Sequence, residues 1–331
     1  MLSAIIDRAV TRSWQRRTWL TYLLWPLSVV YCGWAMLRRA GYRTGLLRTH
    51  RFDVPVLIIG NITVGGTGKT PLVIWMVKQL REHGLTPGVV SRGYGGRTGQ
   101  SPQEVTADSD PHITGDEPIL IARRGQCPVV VHADRGAAVR SLLDRHRCNV
   151  VVADDGLQHY RLERDIEVAV VDAERAFGNG FCLPAGPLRE PAVRIQACQF
   201  KVVNGRGGQG ELSMCLRLSR LVAVHDSRRN QPLASFRGRK VHAVAGIGYP
   251  ERFFSALQDA GIEVIRHPFP DHFRFTPKDL DFGDTLTTVM TEKDAVKCES
   301  FATVNMWFAE VETEVDSTFA EQVLAMLQTR K

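Results

Sequence analysis

The residues best suited to chemistry lie in Thr63-Val64-Gly65-Gly66-Thr67-Gly68-Lys69-Thr70-Pro71. An apolar run, Val54 to Ile59, precedes them, and the helical-looking Leu72-Val73-Ile74-Trp75-Met76-Val77 follows. Strand, glycine-rich loop, Lys-Thr and helix make up the P-loop arrangement. Glycines let backbone N–H groups turn inward around phosphate oxygens, and the helix N-terminus adds the positive end of its dipole. Lys69 is expected to reach the β- and γ-phosphates, and the Thr70 hydroxyl to hold Mg²⁺. Pro71 fits, because a first-turn proline loses no helical hydrogen bond. Position 63 departs from the usual G-x-x-x-x-G-K-[ST] pattern, with Thr in place of the first glycine. The stretch reads as a nucleoside triphosphate site.

Other chemistry-bearing groups follow apolar runs. Val150-Val151-Val152-Ala153-Asp154-Asp155 has the form of a Walker B strand, whose carboxylates hold Mg²⁺ directly or through water. In Ser91-Arg92-Gly93-Tyr94-Gly95-Gly96 the glycines free the backbone to approach a ligand, and Arg92 offers a planar fork for phosphate. Gly115-Asp116-Glu117-Pro118 begins a helix, where acidic residues are favoured for dipole reasons alone. Leu183 to Pro191 is too rich in proline for a generic linker, and fits an acceptor pocket with Arg189 on an anion. His272, in Phe269-Pro270-Asp271-His272-Phe273, reads as structural unless domains close on it. Thr291-Glu292-Lys293-Asp294 reads equally as a base-contacting loop or a solvated acidic-basic turn.

The elements that must position these residues alternate. Apolar runs at 54–59, 87–91, 128–132, 149–153, 166–171 and 200–203 are spaced by helical stretches such as 71–83, 117–124 and 135–146. That pattern predicts an α/β fold, a P-loop NTPase-like parallel sheet with helices on both faces. Ligands of such sheets sit beyond the carboxyl ends of the strands. The glycine-rich turn 205–210 reads as a linker or hinge before a second, smaller α/β unit that ends in a helix at 317–329. The expected division is 1–45, 46–210 and 211–331, with the terminal helix free to pack back on the core.

Charge is concentrated at one end. The net charge is +7, and the first 50 residues, with eight Arg, no Lys and the single acid Asp7, carry all of it. The remainder is balanced, which argues against a nucleic-acid-binding surface. Within that basic segment, residues 18–37 have no charged side chain, and twenty helical residues just cross a bilayer core of about 30 Å. Arg12, Arg16 and Arg17 precede the run, Arg38, Arg39 and Arg43 follow it, and Trp14, Trp19, Trp25 and Trp34 lie in or beside it. Tryptophan favours the headgroup level and arginine anionic lipid, which points to a membrane-associated helix. Pro26 argues against a clean span, and no cleavage pattern marks a removed signal peptide. The seven scattered cysteines form no C-x-x-C pair and fit reduced thiols in the cytoplasm.

Taken in order, Asn61 to Pro71, Ser91 to Gly95, Gly115 to Pro118, Asp154-Asp155-Gly156-Leu157-Gln158-His159, Leu183 to Pro191, Phe269 to Phe273 and Thr291 to Asp294 resemble the tetraacyldisaccharide 4′-kinases. These are the lipid A 4′-kinases of Gram-negative bacteria, and Thr at the first Walker position agrees with them. The resemblance implies an ATP- and Mg²⁺-dependent kinase acting on the 4′-hydroxyl of a tetraacylated glucosamine disaccharide 1-phosphate, at the cytoplasmic face of the inner membrane. It implies Asp116 as catalytic base assisted by His272, with Asp154 and Asp155 at the Mg²⁺ and phosphate site. Glu117 is assigned to the metal, and Ser91, Arg92, Gly93, Tyr94 and Arg189 to the acceptor. Nearby phosphate charge would raise the pKa of Asp116. The rival class, a P-loop NTPase switch or metallocentre chaperone, needs a positioned water and Cys or His ligands in place of an acceptor pocket.

Overall fold

The computed structural model describes residues 13–97 and 99–329, so Arg12 lies outside it. Among the described residues the main elements are, in order, helix α1 (Trp19–Arg43), strand β1 (Val56–Gly60), α2 (Lys69–Glu82), β2 (Pro87–Ser91) and β3 (Gln103–Val105). Next come α3 (Asp116–Gly125), β4 (Val129–Val131), α4 (Arg135–Arg145), β5 (Val150–Asp154), β6 (Ile166–Asp172) and β7 (Phe200–Asn204). Then follow β8 (Leu212–Ala223), β9 (Asn230–Pro232), β10 (Lys240–Ala245), α5 (Pro250–Asp259) and β11 (Glu263–Pro268). Strand β12 (Thr287–Thr291), α6 (Glu292–Cys298), β13 (Met306–Val315) and α7 (Ser317–Gln328) complete it.

Two compact units result. One contains Met1–Lys69, Asn149–Met214 and Val315–Lys331, the other Thr70–Cys148 and Cys215–Glu314. This differs from the expected boundary at 210, because strand pairing in a parallel sheet joins segments remote in sequence. At the turn 205–210, Gly205 N–H donates to the Met214 carbonyl (2.9 Å), and the chain leaves the first unit after Met214, near the start of β8.

In the first unit β1 lies between β5 and β6, with Ile59 opposite Asp154 and Gly60 opposite Ala169. Strand β7 extends this parallel set, pairing with β6 and with the start of β8. Every residue of β1, β5 and β6 is buried, as strands covered on both faces must be. Parallel register brings Gly60, Asp154, Asp172 and Asn204 to one carboxyl edge. The terminal helix α7 belongs here, with Phe319 meeting the Phe200 ring edge-on at 5.3 Å.

Helix α1 is inverted relative to a soluble packed helix. Its buried residues are Thr21, Ser28 and Ala35, one stripe at seven-residue spacing, and Ser28 Oγ donates to the Cys182 carbonyl at 2.7 Å. Trp19, Leu23, Val30, Trp34 and Leu37 point outward, 58–77% exposed. The helix passes through Pro26 unbroken. Its 25 residues make it roughly 37 Å long.

In the second unit β2 and β4 are parallel, with β3 antiparallel on the far side of β4. Strands β11, β10, β12 and β13 form a parallel set in that order. Phe236, Phe253, Phe254 and Trp307 fill the core beside it. Helices α3 and α6 meet through ion pairs. Arg124 holds Glu292 at 2.8 Å and Arg123 holds Glu299, the far-end counterparts of contacts described below.

Candidate active site

Two clusters of functional side chains lie beyond strand ends, one in each unit. In the first, the P-loop leaves β1 and is braced by the proline-rich loop, with Val64 N–H donating to the Pro187 carbonyl at 2.9 Å. Arg175 donates to the Gly66 carbonyl, and Asn204 Nδ2 to the Thr67 carbonyl at 3.0 Å. Because a trans peptide sets its N–H opposite its C=O, these bonds turn the N–H groups of Thr67 and Gly68 away from Arg175 and Asn204. Gly68 has φ +88°, and a Cβ there would stand 2.6 Å from Asn204 Nδ2 and from Met214 Cε. Only glycine fits.

Lys69 Nζ donates to Asn61 Oδ1 at 3.2 Å and lies 3.7 Å from Asp155 Oδ1. Arg189 approaches both oxygens of Asp155 at 3.0 and 3.2 Å. Asp155 adopts a left-handed backbone (φ +50°), a sparse conformation for a non-glycine residue that is often retained at functional sites. Asp154, ending β5, is 1% exposed. The turn after it is pinned from below. Gln158 Nε2 donates to the Asn61 carbonyl at 3.0 Å, and Tyr160 Oη donates to Glu190. Arg194, 2% exposed, donates to Tyr160 Oη at 2.9 Å and pairs with Glu167. Burial, with Glu190 beside it, pushes the Tyr160 pKa up, so it remains a donor.

The second cluster forms where β2, β10, β11 and β12 end. Asp116 opens α3, 3% exposed, with Oδ1 accepting the Glu117 N–H at 2.9 Å. His272 Nδ1 stands 3.3 Å from Asp116 Oδ2, and Lys297 Nζ 3.8 Å from the same oxygen. His272, like Asp155, has a left-handed backbone (φ +58°). Its loop is fixed by the mutually packed rings of Phe269, Phe273 and Phe275, 4.8–5.1 Å apart. The Tyr94 ring meets the imidazole edge-on at 4.8 Å, and Gly95 leaves room for it, since a Cβ there would approach Nδ1 to 3.0 Å. Gly115 (φ +86°) lets the Tyr94 carbonyl pass where a Cβ would come within 2.6 Å. Helix α6 supplies Lys293, which reaches Glu117 at 3.0 Å and Asp271 at 3.1 Å. It also supplies Asp294, fully buried, which accepts the Gly246 N–H at 2.8 Å and pairs with Lys297 at 2.6 Å.

The sequence-predicted residues thus fall into these two groups. Lys69, Asp155 and Arg189 are brought together, with Arg189 on a carboxylate beside the P-loop. Asp116, Glu117, Tyr94 and His272 are brought together in the other. Glu117 is occupied by Lys293, an ammonium that competes with the metal role expected for it. Ser91 is buried, Gly93 turns with φ +70°, and Arg92 is exposed. Thr70 is half-buried in the first turn of α2. Sequence reading gives Asn61 no role beyond its motif and misses Asp172, Arg175 and Asn204, although Asp172 and Asn204 end strands and were open to the same rule. It also leaves Thr291 to Asp294 between a base-contacting loop and a solvated turn, whereas Thr291 caps α6 by accepting the Asp294 N–H.

The family description "Tetraacyldisaccharide-1-P 4'-kinase" (LpxK) matches residues 20–328. The chain belongs to this family. A tetraacyldisaccharide 4′-kinase of Nitrosococcus oceani is 49% identical over 319 residues, covering 96% of this chain and 94% of the relative. One of Methylobacillus flagellatus is 47% identical over 323 residues, covering 97% and 96%. Among solved structures, LpxK from Aquifex aeolicus in complex with ATP superposes with a TM-score of 0.78 at 26% identity, over 94% of this chain and 99% of that one. The family match spans both clusters, so the acid–imidazole pair lies as fully within it as the P-loop does.

The protein's own groups already set the electrostatics of Asp116, apart from any rise that phosphate would add. Burial opposes its charge, but Lys293, the His272 contact and Lys297 outweigh burial and lower its pKa below the ordinary aspartate value. A depressed folded pKa contributes stability above the unfolded value, about 3.9, and that contribution disappears as pH falls further. Chemical denaturation of Asp116→Asn should therefore show a shallower loss of stability below about pH 3.9 than the parent chain. Identical slopes would mean that the carboxylate is not held ionised by these cations.

Proposed function

We propose that this chain transfers the γ-phosphate of ATP to the 4′-hydroxyl of a tetraacylated glucosamine disaccharide 1-phosphate, forming lipid IVA in lipid A biosynthesis. The observation that carries this reading is the pair Asp116 and His272, a buried ionised carboxylate beside an imidazole. A nucleotide switch has no need of such a base, whereas transfer to an alcohol needs one group to take the hydroxyl proton. Lys69 would neutralise the transferring phosphate, and the N–H groups of Thr67 and Gly68 would cradle it. Asp116 would accept the proton from the acceptor oxygen as that oxygen bonds to phosphorus.

Mg²⁺ would supply charge neutralisation between phosphate oxygens. The donors fit a hard cation, since the Thr70 hydroxyl and the buried Asp154 carboxylate are both oxygen ligands. Asp154, buried at the carboxyl end of β5, is assigned the closer role by its place on that strand. Arg189, on the Asp155 carboxylate beside the P-loop, is assigned to the phosphate side. Arg92, exposed on its loop, is left to meet the acceptor, with Ser91, Gly93 and Tyr94 shaping that loop.

The outward apolar face of α1 supports attachment to a membrane, as such a face is unfavourable in water. An apolar groove of about 320 Å³ runs beside it, lined by Trp25, Val29, Met36, Phe181 and Ala192, and would accommodate acyl chain. We place the chain at the cytoplasmic face of the inner membrane, peripheral or single-pass, with Arg16 and Arg39 toward anionic lipid. Arg38 is excluded from that role, because it donates to the Gln158 carbonyl at 3.0 Å.

Radiolabelled γ-phosphate transfer from ATP to the lipid disaccharide tests the reading. Asp116→Asn should lose at least ~10² in transfer with ATP still bound. Lys69→Ala should abolish turnover, and near-normal transfer by either folded variant would remove the assignment. Leu23→Glu with Val30→Glu, both on the exposed face, should leave the fold intact and reduce sedimentation with anionic vesicles. Unchanged sedimentation would argue against membrane attachment through α1.

A further inference from the structure

Lys293 makes three contacts through one ammonium: Glu117 Oε1 at 3.0 Å, Asp271 Oδ1 at 3.1 Å and His272 Nε2 at 3.3 Å. An ammonium has three donors and no acceptor, so these partners use all three. Burial opposes the charge on Lys293, but Glu117, Asp116 and Asp271 push its pKa up, and it stays protonated. The third contact therefore has one sense only. Nζ–H donates, and His272 Nε2 must present its lone pair. In neutral imidazole the proton then resides on Nδ1, the nitrogen 3.3 Å from Asp116 Oδ2.

We propose that Lys293 is a positioning residue for phosphoryl transfer, holding His272 as the Nδ1–H tautomer with Nδ1 beside Asp116, 3.3 Å from Oδ2. This rests on the kinase reading above. In the step itself the acceptor O–H proton passes to Asp116, the acceptor oxygen bonds to the γ-phosphorus, and ADP leaves with the electron pair of the broken P–O bond. Lys293 exchanges no proton. It acts through the imidazole, and the imidazole through the orientation of the carboxylate. The geometry gives a reason why a second cation is needed. Lys297 already lies 3.8 Å from Asp116 Oδ2 and would satisfy a need for charge alone, but it does not touch the imidazole's Nε2. Lys293 is the group that does. The same ammonium ties the His272 loop to the first turn of α3 through Asp271 and Glu117, so ring orientation and loop position are set by one side chain.

The test combines spectroscopy with kinetics on the full chain. Long-range ¹H–¹⁵N spectra, with the His272 signals assigned by their loss in His272→Gln, should show Nδ1 protonated and Nε2 unprotonated in the parent protein. An Nε2–H tautomer there would overturn the proposal without any variant at Lys293. In Lys293→Met the two tautomers should mix, and kcat should fall roughly 10- to 100-fold with KM for ATP unchanged, the scale of a misplaced catalytic group. In a His272→Ala background, Lys293→Met should lose less than it does in the parent chain, since its hold on the imidazole is already gone and only its direct charge effect on Asp116 remains. Multiplicative losses, or a rise in KM alone, would show a role independent of the imidazole. Should the parent chain fail to phosphorylate the lipid acceptor at all, the kinase reading falls, whereas the parent tautomer still decides whether Lys293 sets the ring.

Discussion

The second cluster depends on two lysines from one short helix facing two carboxylates at the start of another. Lys293 and Lys297 of α6 meet Glu117 and Asp116 of α3 with little solvent between them. Desolvated charges are tolerated only when paired, and removing one partner of such a pair typically costs about 3–5 kcal/mol. The surrounding structure meets that requirement in detail. Asp294, fully buried, balances Lys297, and Asp271 takes a share of Lys293. Hydrophobic residues of similar volume would stabilise the contact as well. The charges therefore make better sense as a means of fixing the Asp116 carboxylate in its ionised form, next to an imidazole of defined tautomer.

Both clusters follow from one property of parallel strands, which deliver the residues after their carboxyl ends to a common edge. In the first unit this collects the P-loop, Asp154 and Asn204. In the second it collects the 92–96 loop, Gly246, the 269–273 loop and Thr291 to Asp294. Glycine is used where two such loops must touch, at Gly68 against Asn204 and at Gly115 against the Tyr94 carbonyl. Helix α1 obeys the opposite solvent rule. Its small residues face protein and its large apolar ones face out, so the sequence that looks merely apolar is sorted by size.

How much of this was legible depended on the range of the interaction. Strands such as 54–59 and 149–153 and the P-loop are local patterns, and they emerge within a residue or two of where spacing puts them. Asp154, Asp116 and His272 were singled out as well, the roles of the last two through resemblance, since a lone acid at a helix start and a lone histidine carry no local signal. What failed was long-range pairing. Glu-Lys-Asp at 292–294 has the composition of a solvated turn, and only the approach of α3 turns it into a buried ion network. A T-x-x-D capping pattern at Thr291 was the available hint. Glu117 looked like a metal ligand, because an unpaired acid beside a catalytic one is ambiguous until its lysine, 176 positions away, is seen. The division at 210 differs from the two compact units for the same reason, chain order being a poor guide to strand neighbours.

The central claim is that Asp116, steadied by His272 and the α6 lysines, is the group that takes the acceptor proton. A crystal structure of this chain with a non-hydrolysable ATP analogue and the lipid disaccharide tests it most directly. The account predicts the 4′-oxygen within about 2.6–3.2 Å of an Asp116 carboxylate oxygen, with the γ-phosphorus on its far side. A 4′-hydroxyl bonded to another side chain, with Asp116 still locked among its lysines and out of reach, would contradict it.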